Sequence, residues 1–263
     1  MAELERDGEP AIHYVDHGGD GPPAVLVHGI TESAASWDPI VERLGSDHRT
    51  VALDLRGHGR SGTADRYDLE VMAGDVVAVL QELDLLGTAN LVGHSLGGAV
   101  VSAVGAAAPV ASVVNVDQSL QLGGFKAQLG EIEAPLKDAG SFPAVMEQMF
   151  EQLAGPLLSA PERARVGAVR RADQDVVLGI WALLFDMTAE EVDQVVATAL
   201  GGYAGRNVPY LTVFGVDPGP GYGEWLAGSV EGAQVEVWAD HGHYPHLVDP
   251  DRFVERLRAF WAS

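Results

Sequence analysis

Short apolar runs alternate along this chain with longer stretches whose apolar residues recur every three or four positions. Several of the short runs are continuously apolar, which is typical of parallel strands buried on both faces of a sheet. The strands predicted in this way are residues 11–15, 24–27, 50–53, 89–92, 112–116, 210–214 and 235–238. Strand followed by helix, repeated, predicts an α/β fold with a mostly parallel, doubly wound sheet.

One region interrupts the alternation of strands and helices. Between Ser119 and Arg206 we predict no strand, whereas helical patterns follow one another at residues 142–153, 161–172, 176–185 and 189–200. We therefore predict one core made of residues 1–118 and 207–263. Residues 119–206 are predicted to form a helical cap, or lid, inserted before the next-to-last strand.

The composition excludes several classes of function. The chain has 263 residues, of which 47% are hydrophobic, enough to bury a sizeable core. Its formal charge of -22 opposes binding to nucleic acid or to an anionic membrane. It contains no cysteine, which excludes disulfides and a cysteine nucleophile. No apolar run is long enough to span a membrane and the first nine residues are polar, so we expect a cytoplasmic protein.

A serine lies between two glycines at a predicted strand-to-helix turn. The segment Gly93-His94-Ser95-Leu96-Gly97 follows an apolar strand and precedes a helix rich in alanine and valine. Gly-x-Ser-x-Gly in this context is a nucleophile elbow, in which a sharp turn exposes the serine hydroxyl above the sheet edge. Ser95 is therefore the predicted nucleophile.

A serine nucleophile needs a base, and the base needs an orienting acid. Three histidines, His241, His243 and His246, follow the last predicted strand, and we predict His243 as the base because it follows Gly242 in the loop. A metal cluster of the three is the alternative, but the sequence has no matching set of carboxylates and histidines elsewhere. We expect neither a metal nor another cofactor.

Two aspartates compete for the role of the acid. Asp217 follows the next-to-last strand, and Asp117 ends the strand before the cap. Both strand ends face the edge of the sheet that carries Ser95, so either carboxylate could reach His243. We favour Asp217 and keep Asp117 as the alternative; the one that is not used would be an ordinary loop or capping aspartate.

Four motifs in this order resemble the α/β-hydrolase superfamily: "LVHGITESAASW", "LDLRGHGRSG", "GHSLGG" and "HGHYPHLVDP". The resemblance covers nearly the whole chain and implies Ser95 as nucleophile, His243 as base and an oxyanion hole formed by the backbone N–H groups of Ile30 and Leu96. The chain departs from the family at Gly215-Val216-Asp217, because relatives commonly have one more residue between the glycine and the aspartate. Some relatives carry the acid at the position of Asp117.

The resemblance implies a serine hydrolase that acts on a small, largely apolar carboxylic ester or lactone. The alternatives are a related enzyme of different chemistry (a carbon–carbon bond hydrolase, a perhydrolase or a cofactor-free oxygenase) and a ligand-binding receptor with slow turnover. Side chains predicted to line the substrate pocket under the cap are Trp37, His94, Trp181 and Phe185. The expected partner is a small molecule, and the sequence leaves the oligomeric state open.

Overall fold

A computed structural model, which describes residues 1–262, contains one sheet of eight strands. The strands are β1 (Ala2–Arg6), β2 (Glu9–Asp16), β3 (Ala24–Val27), β4 (Thr50–Leu53), β5 (Asn90–His94), β6 (Ser112–Val116), β7 (Tyr210–Phe214) and β8 (Gln234–Val237). Their order across the sheet is β1-β2-β4-β3-β5-β6-β7-β8. β1 and β2 pair antiparallel, β2 is antiparallel to β4, and the remaining pairs are parallel. The predicted α/β fold with a mostly parallel sheet is confirmed.

Helices cover both faces of the sheet and fill the chain between β6 and β7. Those outside that interval are α1 (Asp38–Leu44), α2 (Leu69–Glu82), α3 (Leu96–Ala107), α10 (Tyr222–Ser229), α11 (Pro245–Val248) and α12 (Pro250–Trp261). Between β6 and β7 lie α4 (Leu122–Lys137), α5 (Phe142–Ala154), α6 (Ala160–Val169), α7 (Gln174–Ile180), α8 (Ala182–Asp186) and α9 (Ala189–Leu200). Short 3-10 helices span Ala34–Trp37, Gly45–Asp47 and Gly201–Tyr203.

The side chains of the parallel strands alternate between two core clusters, one on each face of the sheet. Val25 and Val27 of β3 pack with α2 and α3, whereas Leu26 packs with α1 and α12 on the opposite face. Burial on both faces explains why the central strands are continuously apolar. This arrangement leaves the carboxyl ends of β3, β5 and β6 at one edge, where the loops that follow them meet.

The region predicted as a cap is helical throughout, but its first helix was not predicted. α4 contains Gly123, Gly124 and Pro135, residue types that disfavour a helix. Contacts with α9, α5 and α8 stabilise it in spite of these residues, and the N–H of Gly123 donates to Asp193 of α9 at 2.8 Å. The division into a core and a separate cap domain remains a prediction. Within the described residues, no helix is both long and apolar enough to cross a membrane.

A buried ion pair links α2 to the loop that follows β4. The guanidinium of Arg56 donates to both oxygens of Asp75, at 2.6 and 2.8 Å, and both side chains are buried. Arg6 of β1 donates to the same carboxylate, and Arg56 also donates to Glu9 of β2 at 2.9 Å. Asp75 therefore connects the antiparallel edge of the sheet to the parallel core.

We predict that Asp75→Asn lowers the free energy of unfolding by about 3–5 kcal/mol, because it removes the buried charged partner of Arg56 and leaves only the partially exposed Glu9. Glu9→Gln removes a partially exposed partner of the same arginine and should cost at most about 1 kcal/mol. Urea unfolding of both variants measures the difference. Equal losses would contradict a dominant role for Asp75.

Candidate active site

Ser95 lies at a sharp turn between β5 and α3. Its backbone has φ 51° and ψ -123°, a conformation that residues other than glycine rarely adopt. The turn is tight because a Cβ on Gly93 would lie 2.1 Å from the carbonyl oxygen of Gly97, and one on Gly97 would lie 2.2 Å from that of Val27. Both glycines are therefore required for β5, α3 and β3 to approach one another. The predicted elbow geometry is present.

The turn after β3 runs directly beside this elbow. A Cβ on Gly29 would lie 3.2 Å from Cβ of Ser95, which places the backbone that leads to Ile30 next to the nucleophile. Leu96 is the first residue of α3, so its N–H belongs to the first turn of the helix, where the N–H groups have no partner within the helix. The N–H of Ser95 itself donates to the carbonyl of Val116 at 2.9 Å. The arrangement is compatible with an oxyanion hole formed by Ile30 and Leu96.

His28 and the helical region between β6 and β7 hold the turn after β3 in place. Nδ1–H of His28 donates to the carbonyl of Gly29 at 2.7 Å, while Nε2 accepts the N–H of Leu55 at 3.0 Å. His28 is therefore neutral, and its complete burial lowers its pKa. Thr31, with φ 66°, accepts the N–H of Arg171 at 2.7 Å through its carbonyl.

His243 pairs with Asp117. Its Nδ1–H donates to Oδ2 of Asp117 at 2.6 Å, and Oδ1 of that carboxylate accepts the N–H of Gly215 at 2.7 Å. The Asp117 side chain is 7% exposed and that of His243 15% exposed, so the pair lies mostly out of water. With Nδ1 occupied as a donor, Nε2 of the neutral ring is free to accept a proton.

The preference for Asp217 as the acid is corrected by this geometry. Asp217 is exposed, and its Oδ1 accepts the N–H of Gly219 at 2.8 Å in a local turn. Asp117 comes directly after β6, the neighbour of β5 in the sheet, and adopts φ 53°. The structure thus places the alternative candidate, Asp117, beside the base.

The loop that carries His243 is also fixed through its backbone. The N–H of His243 donates to the carbonyl of Leu153 in α5 at 2.9 Å, and its own carbonyl accepts Nε2–H of His94 at 2.8 Å. Gly242 has φ 61°, and a Cβ there would lie 3.1 Å from Cα of Gly155. His243 is therefore held by the elbow on one side and by α5 on the other.

The predicted pocket residues divide into two groups. Trp181 and Phe185 lie in an apolar cluster of α4, α5, α7, α8 and α9, and Ile30 of the turn beside Ser95 packs against the same cluster. Trp37 is corrected: it is completely buried in the cluster between the sheet, α1 and α12, where it packs on His246 with ring centroids 4.8 Å apart. His94 is likewise buried beneath the elbow rather than in a pocket.

The three histidines after β8 point to different partners. Nδ1 of His241 contacts the carbonyl of Ala239 at 2.9 Å, and buried His246 packs on Trp37. Among residues 1–262, no group of three or more histidines, cysteines, aspartates or glutamates is arranged to hold a metal ion.

Glu32 and Tyr244 also belong to this region, although neither is predicted from the sequence. Glu32 is buried two residues after Ile30, and its Oε1 accepts the hydroxyl proton of Tyr244 at 2.9 Å. A glutamate in an exposed-looking loop sequence gives no local signal of burial. Only the meeting of three loops at the sheet edge buries it.

Comparison with known proteins agrees with the fold. The profile of the Alpha/beta hydrolase family matches residues 24–256. Among solved structures, a bromoperoxidase from Bacillus anthracis superimposes with a TM-score of 0.82 at 20% identity, covering 100% of this chain and 99% of that one. An enol-lactonase from Burkholderia xenovorans LB400 gives a TM-score of 0.74 at 20% identity, covering 100% of both chains.

A curated relative from Pseudomonas putida matches over a shorter length. It is the dihydrolipoyllysine-residue acetyltransferase component of an acetoin cleaving system, 35% identical over 153 residues. The match covers 57% of this chain and 41% of the relative, so it spans less than half of that protein. The likeness therefore supports the family rather than a shared activity.

His58 packs beside His28, with ring centroids 5.2 Å apart. We predict that His58 makes the folded protein less stable in mild acid. Burial lowers the pKa of His58 from 6.5 to about 4. Between these values the unfolded chain binds a proton that the folded chain excludes, so stability falls as the pH decreases from 6.5 to about 4. The full contribution is roughly 3 kcal/mol.

Urea unfolding of His58→Gln across this pH range tests the prediction. The variant should lose less stability than the wild type on acidification, whereas a variant of the exposed His17, His17→Gln, should follow the wild type. Parallel curves for all three proteins would show that His58 does not contribute.

Proposed function

We propose that this chain, which belongs to the alpha/beta hydrolase family, is a serine hydrolase that cleaves a small, largely apolar carboxylic ester or lactone through an acyl-enzyme on Ser95. The observation that carries the proposal is the 2.6 Å hydrogen bond between His243 and Asp117. His243 lies on a loop that contacts the Ser95 elbow through His94. A nucleophile on a strained turn, a histidine with one free nitrogen and a buried carboxylate are the groups that acyl transfer requires.

The first half of the reaction forms the acyl-enzyme. Nε2 of His243 accepts the proton of the Ser95 hydroxyl as the serine oxygen bonds to the carbonyl carbon of the substrate. Asp117 keeps the ring in the tautomer with Nδ1–H and stabilises the imidazolium that results. The carbonyl oxygen becomes an oxyanion, which accepts hydrogen bonds from the N–H groups of Ile30 and Leu96. Collapse of the intermediate breaks the bond to the alkoxy oxygen, which takes the proton from His243.

The second half returns the enzyme to its starting state. His243 removes a proton from water as the water oxygen bonds to the acyl carbon, and the oxyanion forms again. When the bond to Ser95 breaks, the serine oxygen takes the proton back from His243 and the carboxylic acid leaves. For a lactone, the alcohol and the acid are two ends of one product. The nucleophile, the base, the acid and the oxyanion donors of these steps are all groups of the chain, and water is the second reactant.

The apolar surroundings of the elbow favour a substrate with little charge. Ile30 packs against the cluster that contains Trp181 and Phe185, and the partially buried Leu96 packs against the core. An ionised group placed among these side chains would lose its hydration without gaining a partner. A small ester or lactone with an apolar acyl or ring portion avoids this cost.

We predict that Ser95→Ala abolishes hydrolysis of p-nitrophenyl butyrate and labelling by a fluorophosphonate probe, which bonds to the serine oxygen with loss of fluoride. Asp117→Asn should lower kcat by about 10²- to 10⁴-fold, because it removes the carboxylate that orients and charge-balances His243.

Asp217→Asn is the matched control for the acid, since it makes the same chemical change in an exposed turn. Its kcat should stay within about twofold of the wild type. Labelling and turnover that survive Ser95→Ala, or a collapse of activity in Asp217→Asn rather than Asp117→Asn, would contradict the proposed mechanism.

A further inference from the structure

A buried acid and a buried histidine lie beneath the proposed site without a part in the mechanism above. Oε2 of Glu32 is 3.6 Å from Nδ1 of His94, and both side chains are at most 3% exposed. Burying charged groups is strongly unfavourable unless partners compensate. Apolar residues would be sufficient to fill this space, so we infer the role of the pair from the groups that it contacts.

The pair contacts each of the three segments that supply the proposed chemistry. Glu32 belongs to the turn that carries Ile30, and its N–H donates to the carbonyl of Gly29 at 3.2 Å. His94 directly precedes Ser95, and its Nε2–H donates to the carbonyl of His243 at 2.8 Å. The hydroxyl of Tyr244, the residue after His243, donates to the other oxygen of Glu32 at 2.9 Å.

The contacts of His94 favour its charged form. One nitrogen faces a carbonyl and the other a carboxylate, so only an imidazolium has a proton for each acceptor. Burial is the largest single influence and opposes the charge, but Glu32, the carbonyl of His243 and Asp117 together outweigh it and raise the pKa of His94 above its ordinary value. Burial is likewise the largest single influence on Glu32 and opposes its ionisation, but the surrounding histidines, chiefly His94, together outweigh it and lower the pKa of that carboxyl.

Other titratable groups face His94 from the elements packed around it. They come from the loop after β3, the residue after β6, the loop before α11 and α11 itself, and they are Glu32, His28, Asp117, His243, Tyr244 and His246. His246 is neutral, because complete burial lowers its pKa well below the ordinary value. Glu32 is the largest of the influences that favour the charge on His94.

We propose that the Glu32–His94 ion pair is a positioning device, which holds the Ile30 turn, Ser95 and the His243 loop in register for the reaction. The inference rests on the proposed serine hydrolase function. It assigns neither residue to the chemistry itself: Glu32 and His94 act through the backbone of the turn and of the His243 loop.

The first test separates positioning from stability. Glu32→Gln should lower kcat for p-nitrophenyl butyrate by at least about tenfold with KM within about threefold, because misplaced groups slow the reaction more than they weaken binding. Asp75→Asn is the matched control, since it neutralises another buried acid in an ion pair away from Ser95. Its kcat should stay within about twofold of the wild type when assayed well below its Tm. An equal or smaller effect of Glu32→Gln on kcat would overturn the proposal.

The second test measures kcat as a function of pH, because a residue with a purely structural role would not change the shape of this profile. The wild type should lose kcat as the pH rises and His94 loses its proton, since the pair then loses its charge. In Glu32→Gln, burial acts on His94 without the opposing carboxylate and lowers its pKa. The loss of kcat at high pH, the alkaline limb of the profile, should therefore move to lower pH. Tyr244→Phe keeps the ion pair and should keep the limb in place. An unmoved limb in Glu32→Gln would contradict the proposal.

His94→Gln is a second variant if Glu32→Gln fails to fold. The glutamine amide can still donate to the carbonyl of His243, and the double variant Glu32→Gln, His94→Gln places no charged group at either of these two positions. The double variant should regain Tm relative to the single variants and remain at least about tenfold below the wild type in kcat. Full recovery of both quantities would show that the pair serves stability alone.

NMR of protein labelled with ¹⁵N-histidine distinguishes failure of this inference from failure of the proposed function. Glu32→Gln should shift the ring signals of His243 as well as those of His94, whether or not the protein hydrolyses an ester. If Glu32→Gln shifts the His243 signals but the wild type does not react with the fluorophosphonate, the hydrolase function is rejected and the positioning role is retained. Unshifted His243 signals would reject the positioning role.

Discussion

The strained turn at Ser95 is the constraint on which the rest of the site depends. A residue with φ 51° persists there because β5 and α3 cross so closely that neither Gly93 nor Gly97 has room for a side chain. The same close approach brings the carbonyl of Val27 and the turn beyond it against the elbow. One local conformation therefore fixes both the nucleophile and the backbone that faces it.

The helices between β6 and β7 are part of the site and not merely a cover for it. The carbonyl of Leu153 in α5 accepts the N–H of His243, and the N–H of Arg171 donates to the carbonyl of Thr31. One contact holds the base and the other holds the turn next to Ile30. Because backbone hydrogen bonds impose direction as well as distance, movement of these helices would change the geometry of the proposed chemistry.

Much of this arrangement could be predicted from the sequence, because it follows from short-range patterns. Four central strands match their predicted bounds, since continuous apolar runs reflect burial on both faces. The elbow was recognisable because its glycines are required locally. The acid was not, because Asp117 and Asp217 both follow strands that end at the same edge, and only the three-dimensional path of the His243 loop selects one. α4 was missed because its packing overcomes Gly123, Gly124 and Pro135.

The central claim is that Asp117 orients His243, and the proton between them is its most direct reporter. A proton shared by a buried imidazole nitrogen and a carboxylate gives an isolated low-field resonance in ¹H NMR spectra. We expect this resonance in the wild type and in Asp217→Ala, and its loss in Asp117→Ala and His243→Gln. A resonance that survives Asp117→Ala and disappears in Asp217→Ala would contradict the account.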